Sequence, residues 1–411
     1  MTGSDSTGRL SPCRGLDFPA LRRDLLAWFD RNGRDLPWRR GRTPYRTWIS
    51  EIMLQQTTVA AVRPYFLAFL ERFPDPAALA AASEDEVLAL WSGLGYYRRA
   101  RLLHQAAGVV VRERGGVLPD SAEEWASLPG IGDYAAGAIA SMALGERVPA
   151  VDANARRVLL RWVCAEPLEA DGISPRDLRA LSEELVDEDR PGDWNEAIMD
   201  LGSSFCTARS PRCRECPVLG HCRAGQGGRA DQVPAAASRP GSIRIMLAAL
   251  VLRAGDAVLL VPSGAPPAGM APRGAEVFRS DFSSLNRGFR GPPTTAWFRE
   301  DEKVAWDPAQ VWGPYLASLG LPPIPAGTFA AAGTVTHTIT RHRLGIRVHV
   351  LDLPTLGDHD PEDAKKDLTG ALFPVYAGSR VRGVGRQGDP ATPPLSRMAA
   401  KILACGIKAG G

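Results

Sequence analysis

Asp152 lies between an apolar run and a helical pattern whose other charges are positive, in the segment VPAVDANARRVLLR (148–161). Asp is favoured at the N-cap of a helix, where its carboxylate accepts hydrogen bonds from the first turn. A carboxylate can also stabilise or trap the positive charge that develops on a sugar when a glycosidic bond breaks. Asp152 is a candidate for both roles, which one residue can combine.

Four cysteines form a close group with the spacing C-x6-C-x2-C-x5-C: Cys206, Cys213, Cys216 and Cys222. Four thiolates in so short a span can surround one metal centre. Zinc sites usually have two C-x2-C pairs separated by a longer loop, and ferredoxins have a run of C-x2-C spacings; this group has neither pattern. The total of seven cysteines, in a chain without a secretory signal, argues against a disulfide framework.

The segment LPGIGDYAAGAIASMALG (128–145) predicts two helices joined by a tight Gly-x-Gly turn. Backbone N–H groups at the start of the second helix would form an anion site. We expect Leu128 and Ile131 to be buried and to hold the turn, while Gly130 and Gly132 let the backbone approach a phosphate. The pattern resembles a helix-hairpin-helix element, which binds the DNA backbone without reading base sequence.

The elements that must position these residues fall into two parts with different periodicity. Helical spacing dominates before the cysteines, with capping boxes that begin at Ser83 and Ser121. Alternating apolar residues follow, and they predict one strand pair around the turn AGD and another around the RL of HRLGIRVHV. The expected fold is multidomain, with a disordered lead over 1–16, an all-α module with its cysteine loop over 17–223, a linker over 224–242, an α+β domain over 243–378, and a tail with a short helix over 379–411.

Composition limits the class of protein. Hydrophobic residues make up 45% of the 411, charged residues make up 23%, and the net charge is +3, which are ordinary values for a soluble chain. No apolar run has the length of a membrane span, and the start lacks the apolar stretch of a secretory signal. We therefore expect a cytoplasmic monomer without a membrane partner, associated with the nucleoid if the source is prokaryotic. Arginines beside aromatic residues, as in WRRGRTPYR (38–46), favour a nucleic-acid partner.

The cysteine spacing, together with the Gly-x-Gly hairpin followed by Asp152, resembles the helix-hairpin-helix DNA glycosylase superfamily. Its endonuclease III-like members hold a [4Fe–4S] cluster with this spacing. LPWRRGRTPYRTW (36–48), MLQQT (53–57) and GLGYYRRAR (93–101) are similar to adenine DNA glycosylases of the MutY type. The resemblance implies a [4Fe–4S] cofactor on the four cysteines. It also implies a duplex DNA partner that contains an A:8-oxoguanine or A:G mispair.

The resemblance assigns roles to individual residues. Glu51 matches the acid that protonates the adenine leaving group at N7, Gln55 a glutamine that enters the base stack, and Tyr96 a tyrosine that wedges beside the damaged guanine. The residues that match the catalytic pocket are Arg39, Glu51, Tyr134, Asp152, Asn154 and Glu196. Those that match DNA contacts are Gln55, Gln56, Thr57, Leu94, Tyr96, Arg98, Gly130, Gly132, Thr340 and Arg341.

The roles that the resemblance implies can be checked against the residue types. A carboxyl acid that works at neutral pH needs a raised pKa, which an apolar pocket of Trp48, Ile52 and Met53 around Glu51 would supply. Tyr134 stands where bifunctional relatives carry an attacking lysine, and no lysine precedes Lys303. Base removal by water is therefore favoured over a lysine-dependent lyase.

The C-terminal domain resembles, more weakly, the MutT-like domain that such enzymes use to detect 8-oxoguanine. Two features depart from the family: its Trp-containing loop is here PPAGMAPRGAEVF, and the F-S-H of its recognition hairpin is Ile339, Thr340 and Arg341. A third departure is Ala153, where the family usually has Gly, so the backbone after Asp152 is expected to differ slightly.

The expected function is adenine excision by a monofunctional glycosylase in base excision repair. Two alternatives remain at this stage: an endonuclease III-like glycosylase for oxidised pyrimidines, and a non-enzymatic DNA-bound iron–sulfur redox protein. The second alternative leaves Glu51 and Asp152 without a role. The strength of the 8-oxoguanine preference, the structural or redox role of the cluster, and any replication or repair partner are not determined by the sequence.

Overall fold

The fold is seen in a computed structural model that describes residues 16–235 and, beyond them, 241–254, 257–259, 261–262, 290–292, 294–295, 298–299, 307–318, 323–339, 342–352, 372–373 and 397–408. Two compact units divide the chain. The first consists of Met1–Ala81 and Leu102–Ser238, and the second of Ala82–Arg101 and Arg239–Gly411. The predicted module over 17–223 is therefore not one contiguous unit. Almost all of the predicted lead, and both Thr340 and Arg341, lie outside the described residues.

The chain from residue 16 to residue 235 is helical, as the periodicity predicts. Its α-helices are α1 (Phe18–Asn32), α2 (Pro44–Leu54), α3 (Val59–Arg72), α4 (Pro76–Ala81), α5 (Glu84–Trp91), α6 (Arg98–Arg114), α7 (Ala122–Ala126), α8 (Asp133–Ile139), α9 (Ala153–Val163), α10 (Pro167–Asp171), α11 (Pro175–Leu185), α12 (Pro191–Ser204) and α13 (Arg223–Gln226). The predicted capping box at Ser83 is present with both of its hydrogen bonds. At Ser121 the side chain accepts from the Glu124 N–H.

Helix α9 lies at the centre of the first unit, because one face of it is buried against α1, α11 and α12. Val158, Leu160 and Trp162 on this helix are at most 2% exposed. Trp162 and Trp194 of α12 have ring centroids 6.1 Å apart. This packing places the start of α9, and with it Asp152, on a rigid support.

The first half of the predicted linker is part of the helical core. The segment 224–235 follows the last clustered cysteine, and Ala224, Ala230 and Val233 in it are at most 4% exposed. The buried Arg161 side chain donates from Nε to the Val233 carbonyl over 2.7 Å. Small apolar residues among glycines lack helical periodicity yet still fill gaps in a core. The helical unit therefore extends past the predicted boundary at 223.

The second unit contains a mixed sheet, which agrees with the predicted α+β class. Its strands are β1 (Ile243–Ala254), β2 (Ala257–Leu259), β3 (Val261–Pro262), β4 (Arg290–Gly291), β5 (Phe298–Arg299), β6 (Ala330–Ile339), β7 (His342–Asp352) and β8 (Leu372–Phe373), and its C-terminal helices are α14 (Pro308–Ser318) and α15 (Arg397–Lys408). The main sheet has the order β6-β7-β1-β2-β8, with β1 parallel to β7 and β5 paired with β1.

Alternate residues of β1 face two different helices. Leu247 and Val251 pack with Met398 and Ile402 of α15, whereas Leu250 packs with Trp312 and its neighbours on α14. The predicted tail helix is therefore part of the core of this unit. Strands buried on both faces read as continuous apolar runs, which accounts for the sequence IMLAALVL.

The second predicted strand pair is present, but its turn is displaced from the prediction. Arg343 and Leu344, the predicted turn residues, lie inside β7, where they pair with Thr338 and His337 of β6. Leu344 is 2% exposed, so its burial keeps it in the strand. Among the described residues, no helix is long and apolar enough to cross a membrane.

The buried position of Val233 gives a test of the extended core. We expect Val233→Ala to lower the free energy of unfolding by about 1–3 kcal/mol, because it removes buried methyl groups and leaves a cavity. The matched control is Gln232→Ala, since Gln232 is exposed. Denaturant unfolding of both variants is the measurement. Equal stability of the two variants would mean that the segment behaves as the linker that the sequence predicted.

Candidate active site and cysteine cluster

Glu51 lies on α2 with its side chain buried, 5% exposed. The expected apolar surroundings are present, since Trp48, Ile52 and Met53 are at most 3% exposed. Burial raises the pKa of the Glu51 carboxyl to about 7. The Tyr134 hydroxyl donates to Glu51 Oε2 over 2.6 Å and favours the ionised form, so it limits this rise. Glu51 is thus a carboxyl that can hold or release a proton near neutral pH.

Asp152 is the N-cap of α9, as the first interpretation of its position predicts. Its Oδ1 accepts from the Ala155 N–H over 2.6 Å, and its Oδ2 accepts from Asn154 Nδ2 over 3.0 Å. Ala153 is the first residue of the helix and is exposed, so its backbone is helical and an alanine side chain fits there. Alanine is thus accommodated at this position, and the expected difference from the backbone of the family stays a prediction.

A chain of hydrogen bonds connects Asp152 to the cysteine loop. Asn154 donates to Asp152, and Asn154 Oδ1 accepts from Arg157 Nη2 over 3.0 Å. The same nitrogen of Arg157 donates to the Gly202 carbonyl over 2.8 Å, and Nε donates to the Cys206 carbonyl over 2.8 Å. The orientation of the Asp152 carboxylate is therefore coupled to the position of the first clustered cysteine. Arg157 carries no motif that would have identified it from the sequence.

Arg39 pairs with two acids of α12. Its two terminal nitrogens donate to both carboxylate oxygens of Asp200, over 2.8 and 3.0 Å, and its Nε lies 3.1 Å from Glu196 Oε2. Burial opposes ionisation of Asp200, but the bonds from Arg39 and Arg34 hold its pKa below the ordinary value. Burial raises the pKa of Glu196. Arg39 and Glu196 come together as predicted; Asp200 was not predicted.

Asn195, beside Glu196 on α12, holds the backbone that leads into Asp152. Its Nδ2 donates to the Val148 carbonyl over 2.9 Å and to Ser141 Oγ over 2.8 Å, while its Oδ1 accepts from the Ala150 N–H over 3.0 Å. Asn195 is 3% exposed. Its partners lie 45 to 54 positions earlier in the chain, so spacing alone could not indicate this role.

The predicted hairpin is present between α7 and α8. Leu128 and Ile131 are buried as expected, while Gly130 and Gly132 are exposed. Gly130 has φ +80°, and a Cβ there would lie 2.6 Å from Leu102 Cβ. Gly132 is the N-cap of α8, and a Cβ there would meet nothing within 4 Å. Gly130 is needed for the fold of the turn, whereas Gly132 leaves open space in front of the N–H groups of α8.

The predicted stacking residues after α2 form a short exposed loop. Gln55 is the C-cap of α2, Gln56 is exposed with φ 57°, and Thr57 Oγ1 donates to the Gln55 carbonyl over 3.4 Å. A non-glycine residue in the left-handed region is uncommon and often marks a functional site. All three residues therefore stay predicted DNA contacts.

The predicted contacts at 94–98 lie in the second unit and divide into two kinds. Tyr96 and Arg98 are exposed, as a DNA contact requires. Leu94 is 6% exposed, so its side chain packs inside the protein and only its backbone is available to a ligand. Leu94 therefore stays a predicted DNA contact, made through its backbone.

The four clustered cysteines line one cavity with Arg161, Trp162, Leu201 and Phe205. Arg161 Nη1 donates to Cys206 Sγ over 3.2 Å, and the Gly225 N–H donates to Cys222 Sγ over 3.3 Å. N–H donors to sulfur stabilise the thiolates that an iron–sulfur cluster requires. Burial raises the pKa of the Cys216 thiol to about 11. The residues fit a cluster, and its binding would displace the thiol protons.

Comparisons with known proteins agree with this geometry. Residues 49–188 match the HhH-GPD superfamily of base excision DNA repair proteins, and residues 206–222 match the iron-sulfur binding domain of endonuclease III. The chain is 46% identical over 202 residues to the adenine DNA glycosylase of Mycolicibacterium smegmatis, a match that covers 49% of this chain and 68% of that protein.

The chain belongs to the adenine DNA glycosylase family.

Other members of the family are longer. The chain is 45% identical over 234 residues to the human adenine DNA glycosylase, a match that covers 54% of this chain and 42% of the human protein. It thus spans less than half the length of the human, mouse and rat members that it matches. A thermostable thymine-DNA glycosylase structure is similar with a TM-score of 0.48 and 27% identity, covering 51% of this chain and 96% of that one. The second family match supports a [4Fe–4S] cluster in the segment 206–222, which contains the four cysteines.

The two hairpin glycines give a matched pair of substitutions. We expect Gly130→Ala to lower the free energy of unfolding by about 1–2 kcal/mol or more, because a side chain at positive φ is strained and its Cβ would collide with Leu102. Gly132→Ala should leave stability nearly unchanged, since its Cβ meets open space. Thermal unfolding of the two variants measures the difference. A stable Gly130→Ala variant would contradict the turn geometry described here.

Proposed function

We propose that this protein is a monofunctional adenine DNA glycosylase of base excision repair. It hydrolyses the N-glycosidic bond of adenine mispaired with 8-oxoguanine or guanine in duplex DNA, after the adenine has rotated out of the base stack. The observation that carries the proposal is Glu51, a buried carboxyl with a pKa of about 7. With this pKa, the protonated and ionised forms of the carboxyl are both well populated at neutral pH, and the proton can be given to a leaving group.

In the proposed reaction Glu51 donates its proton to N7 of the adenine. The bond between the sugar and the base then breaks, and its electron pair stays with the protonated base, which makes adenine a better leaving group. Positive charge is left on the sugar as an oxocarbenium ion. Water completes the hydrolysis, and the ionised Glu51 can direct that water. The nearby Tyr134 hydroxyl, 2.6 Å from Glu51, supports the carboxylate formed by the transfer.

Asp152 is proposed to act on the positive charge that the reaction leaves on the sugar. Its carboxylate, held by Ala155 and Asn154, would stabilise the oxocarbenium or capture it covalently, with retention at the sugar as the overall result. The two acids differ in environment: Glu51 is buried among apolar side chains, whereas Asp152 is half-buried at a helix N-terminus and accepts two hydrogen bonds. Glu51 would thus act as the proton donor, and Asp152 as the group that stabilises positive charge.

Water is the proposed nucleophile because the helical unit offers no lysine. Tyr134 occupies the position of the attacking lysine in bifunctional relatives, and the first lysine after the start of the chain is Lys303. Burial raises the pKa of Tyr134 well above its ordinary value, so its hydroxyl stays neutral and donates hydrogen bonds. The [4Fe–4S] cluster would hold the loop 206–222 together and can exchange an electron.

Duplex DNA is the proposed partner, and the protein is proposed to act as a cytoplasmic monomer. The exposed turn at Gly130 and Gly132 would bind a backbone phosphate. Gln55 would enter the space that the rotated adenine leaves in the base stack. The exposed ring of Tyr96 would stack on a base. The C-terminal unit is proposed as a MutT-like domain that detects 8-oxoguanine, with Thr340 and Arg341 as its contacts.

The pKa of Glu51 gives a pH prediction. A raised pKa means that the donor form is present below about pH 7 and is lost as the pH rises through that value, so the single-turnover rate should fall above neutrality. Tyr134→Phe removes a bond that lowers this pKa, so the midpoint should move to higher pH. Glu51→Gln should abolish the reaction. A rate that keeps rising between about pH 7 and pH 9 would contradict the assignment of Glu51 as the acid.

The decisive experiment is a single-turnover assay on three duplexes, which contain A:8-oxoguanine, A:G or thymine glycol. We expect excision of adenine only, faster by orders of magnitude opposite 8-oxoguanine, and no efficient adduct on borohydride treatment. Asp152→Asn should bind the duplex but not cleave it, because the amide keeps the helix cap and lacks the negative charge. Excision of thymine glycol, efficient borohydride trapping or robust turnover by Asp152→Asn would overturn the proposal.

A further inference from the structure

Tyr96 has a backbone conformation that a bulky aromatic residue seldom adopts. It lies in the loop between α5 and α6, with φ 50° and 44% of the residue exposed. The left-handed region is unfavourable for a non-glycine residue and persists only where surrounding contacts impose it. An exposed ring on such a backbone is therefore held there by other residues.

The backbone of this loop is fixed mainly through the Gly95 carbonyl. Gly95 has φ 80°, and its carbonyl accepts from the Trp91 indole N–H over 3.1 Å. The Tyr96 carbonyl accepts from the Arg99 N–H over 2.9 Å, which begins α6. The loop is thus tied at one end to the last residue of α5 and at the other end to the first turn of α6.

Arg99 connects these contacts through its side chain. Its guanidinium carbon lies 5.4 Å from the ring centroid of Trp91 and 5.4 Å from that of Tyr96. Its Nη2 donates to the Gly95 carbonyl over 3.2 Å, and its Nε lies 3.4 Å from the Tyr96 carbonyl. Arginine suits this position because its planar cation stacks on aromatic faces while its N–H groups donate in the plane.

We propose that Arg99 is a positioning residue that presets the Tyr96 ring for stacking on DNA bases before any DNA is bound. That the ligand is DNA rests on the proposed function, whereas the positioning role rests on the contacts of Arg99 with Trp91, Gly95 and Tyr96. A ring ordered in the free protein loses little conformational freedom on binding, so more of its stacking energy appears as affinity. From the sequence, the adjacent Arg98 is the predicted DNA contact. Arg98 is exposed, whereas Arg99 is half-buried.

A double-mutant cycle tests whether Arg99 acts through Tyr96. Arg99→Met and Tyr96→Leu should each weaken binding to an A:8-oxoguanine duplex by roughly 5- to 100-fold, the range that one base–aromatic stack supplies. The double variant should bind no more weakly than Tyr96→Leu alone, because Arg99 has no ring left to position. Independent effects that multiply in the double variant would overturn the proposal.

A control on the same helix separates positioning from general destabilisation. The Arg101 side chain donates from Nε to Glu84 over 2.9 Å, on the α5 side of the helix, so the effects of Arg101→Met and Tyr96→Leu should multiply. Arg99→Lys keeps the charge but loses the planar stack, and should show an intermediate loss. If Arg101→Met proved equally non-additive with Tyr96→Leu, the coupling would be general and the specific role of Arg99 would be lost.

Hydrogen exchange in the free protein tests the positioning without activity. Arg99→Met should raise amide exchange in the peptide that spans 92–98, with little change in the helices of the first unit. Unchanged exchange there would overturn the positioning role, whatever the enzyme cleaves. Raised exchange in a protein that excises no adenine would instead leave Arg99 as a positioning residue and reject the proposed function.

Discussion

The site depends on one constraint, which is that a carboxyl group must stay protonated at neutral pH inside a folded protein. Glu51 meets it because apolar side chains surround it and because the neighbouring Glu196 opposes its ionisation, whereas Arg39 favours it. Arg39 is bound on both sides by Asp200 and Glu196. An arginine paired directly with Glu51 would hold the pKa of that acid low, since an opposite charge favours ionisation. Asp200 and Glu196 on α12 thus pair with Arg39 and leave Glu51 on α2 without a direct arginine partner among the described residues.

Helix α9 meets the opposite requirement for Asp152. The carboxylate must be charged and oriented, and a helix N-terminus supplies both, because its N–H groups bind the anion and its dipole favours negative charge. The other end of the same helix is buried against α1, α11 and α12, so the acid is fixed by the core. Two carboxyl groups of similar chemistry are thereby placed in different environments, one buried among apolar side chains and the other hydrogen-bonded at a helix N-terminus.

The sequence was sufficient for those features that local spacing determines. The cysteine set, the hairpin, the cap at Asp152 and the apolar surroundings of Glu51 all follow from residue types within a few positions. The partners of Asp200 and Asn195 did not, since they lie tens of residues away and no local pattern marks them. The buried segment 224–235 was also missed, because small residues among glycines lack periodicity whether they are packed or not. Leu344 was assigned to a turn because its burial depends on strand register.

The Asn195 amide has a mechanical consequence. It ties the π-helical turn Ala140–Leu144, which continues α8, to the backbone just before Asp152. The π-helical turn and the backbone before Asp152 are therefore joined by the Asn195 hydrogen bonds, and Ala138 and Met142 also pack against Ala150. If the hairpin holds a DNA phosphate as proposed, these contacts connect the docking of the DNA backbone with the placement of Asp152.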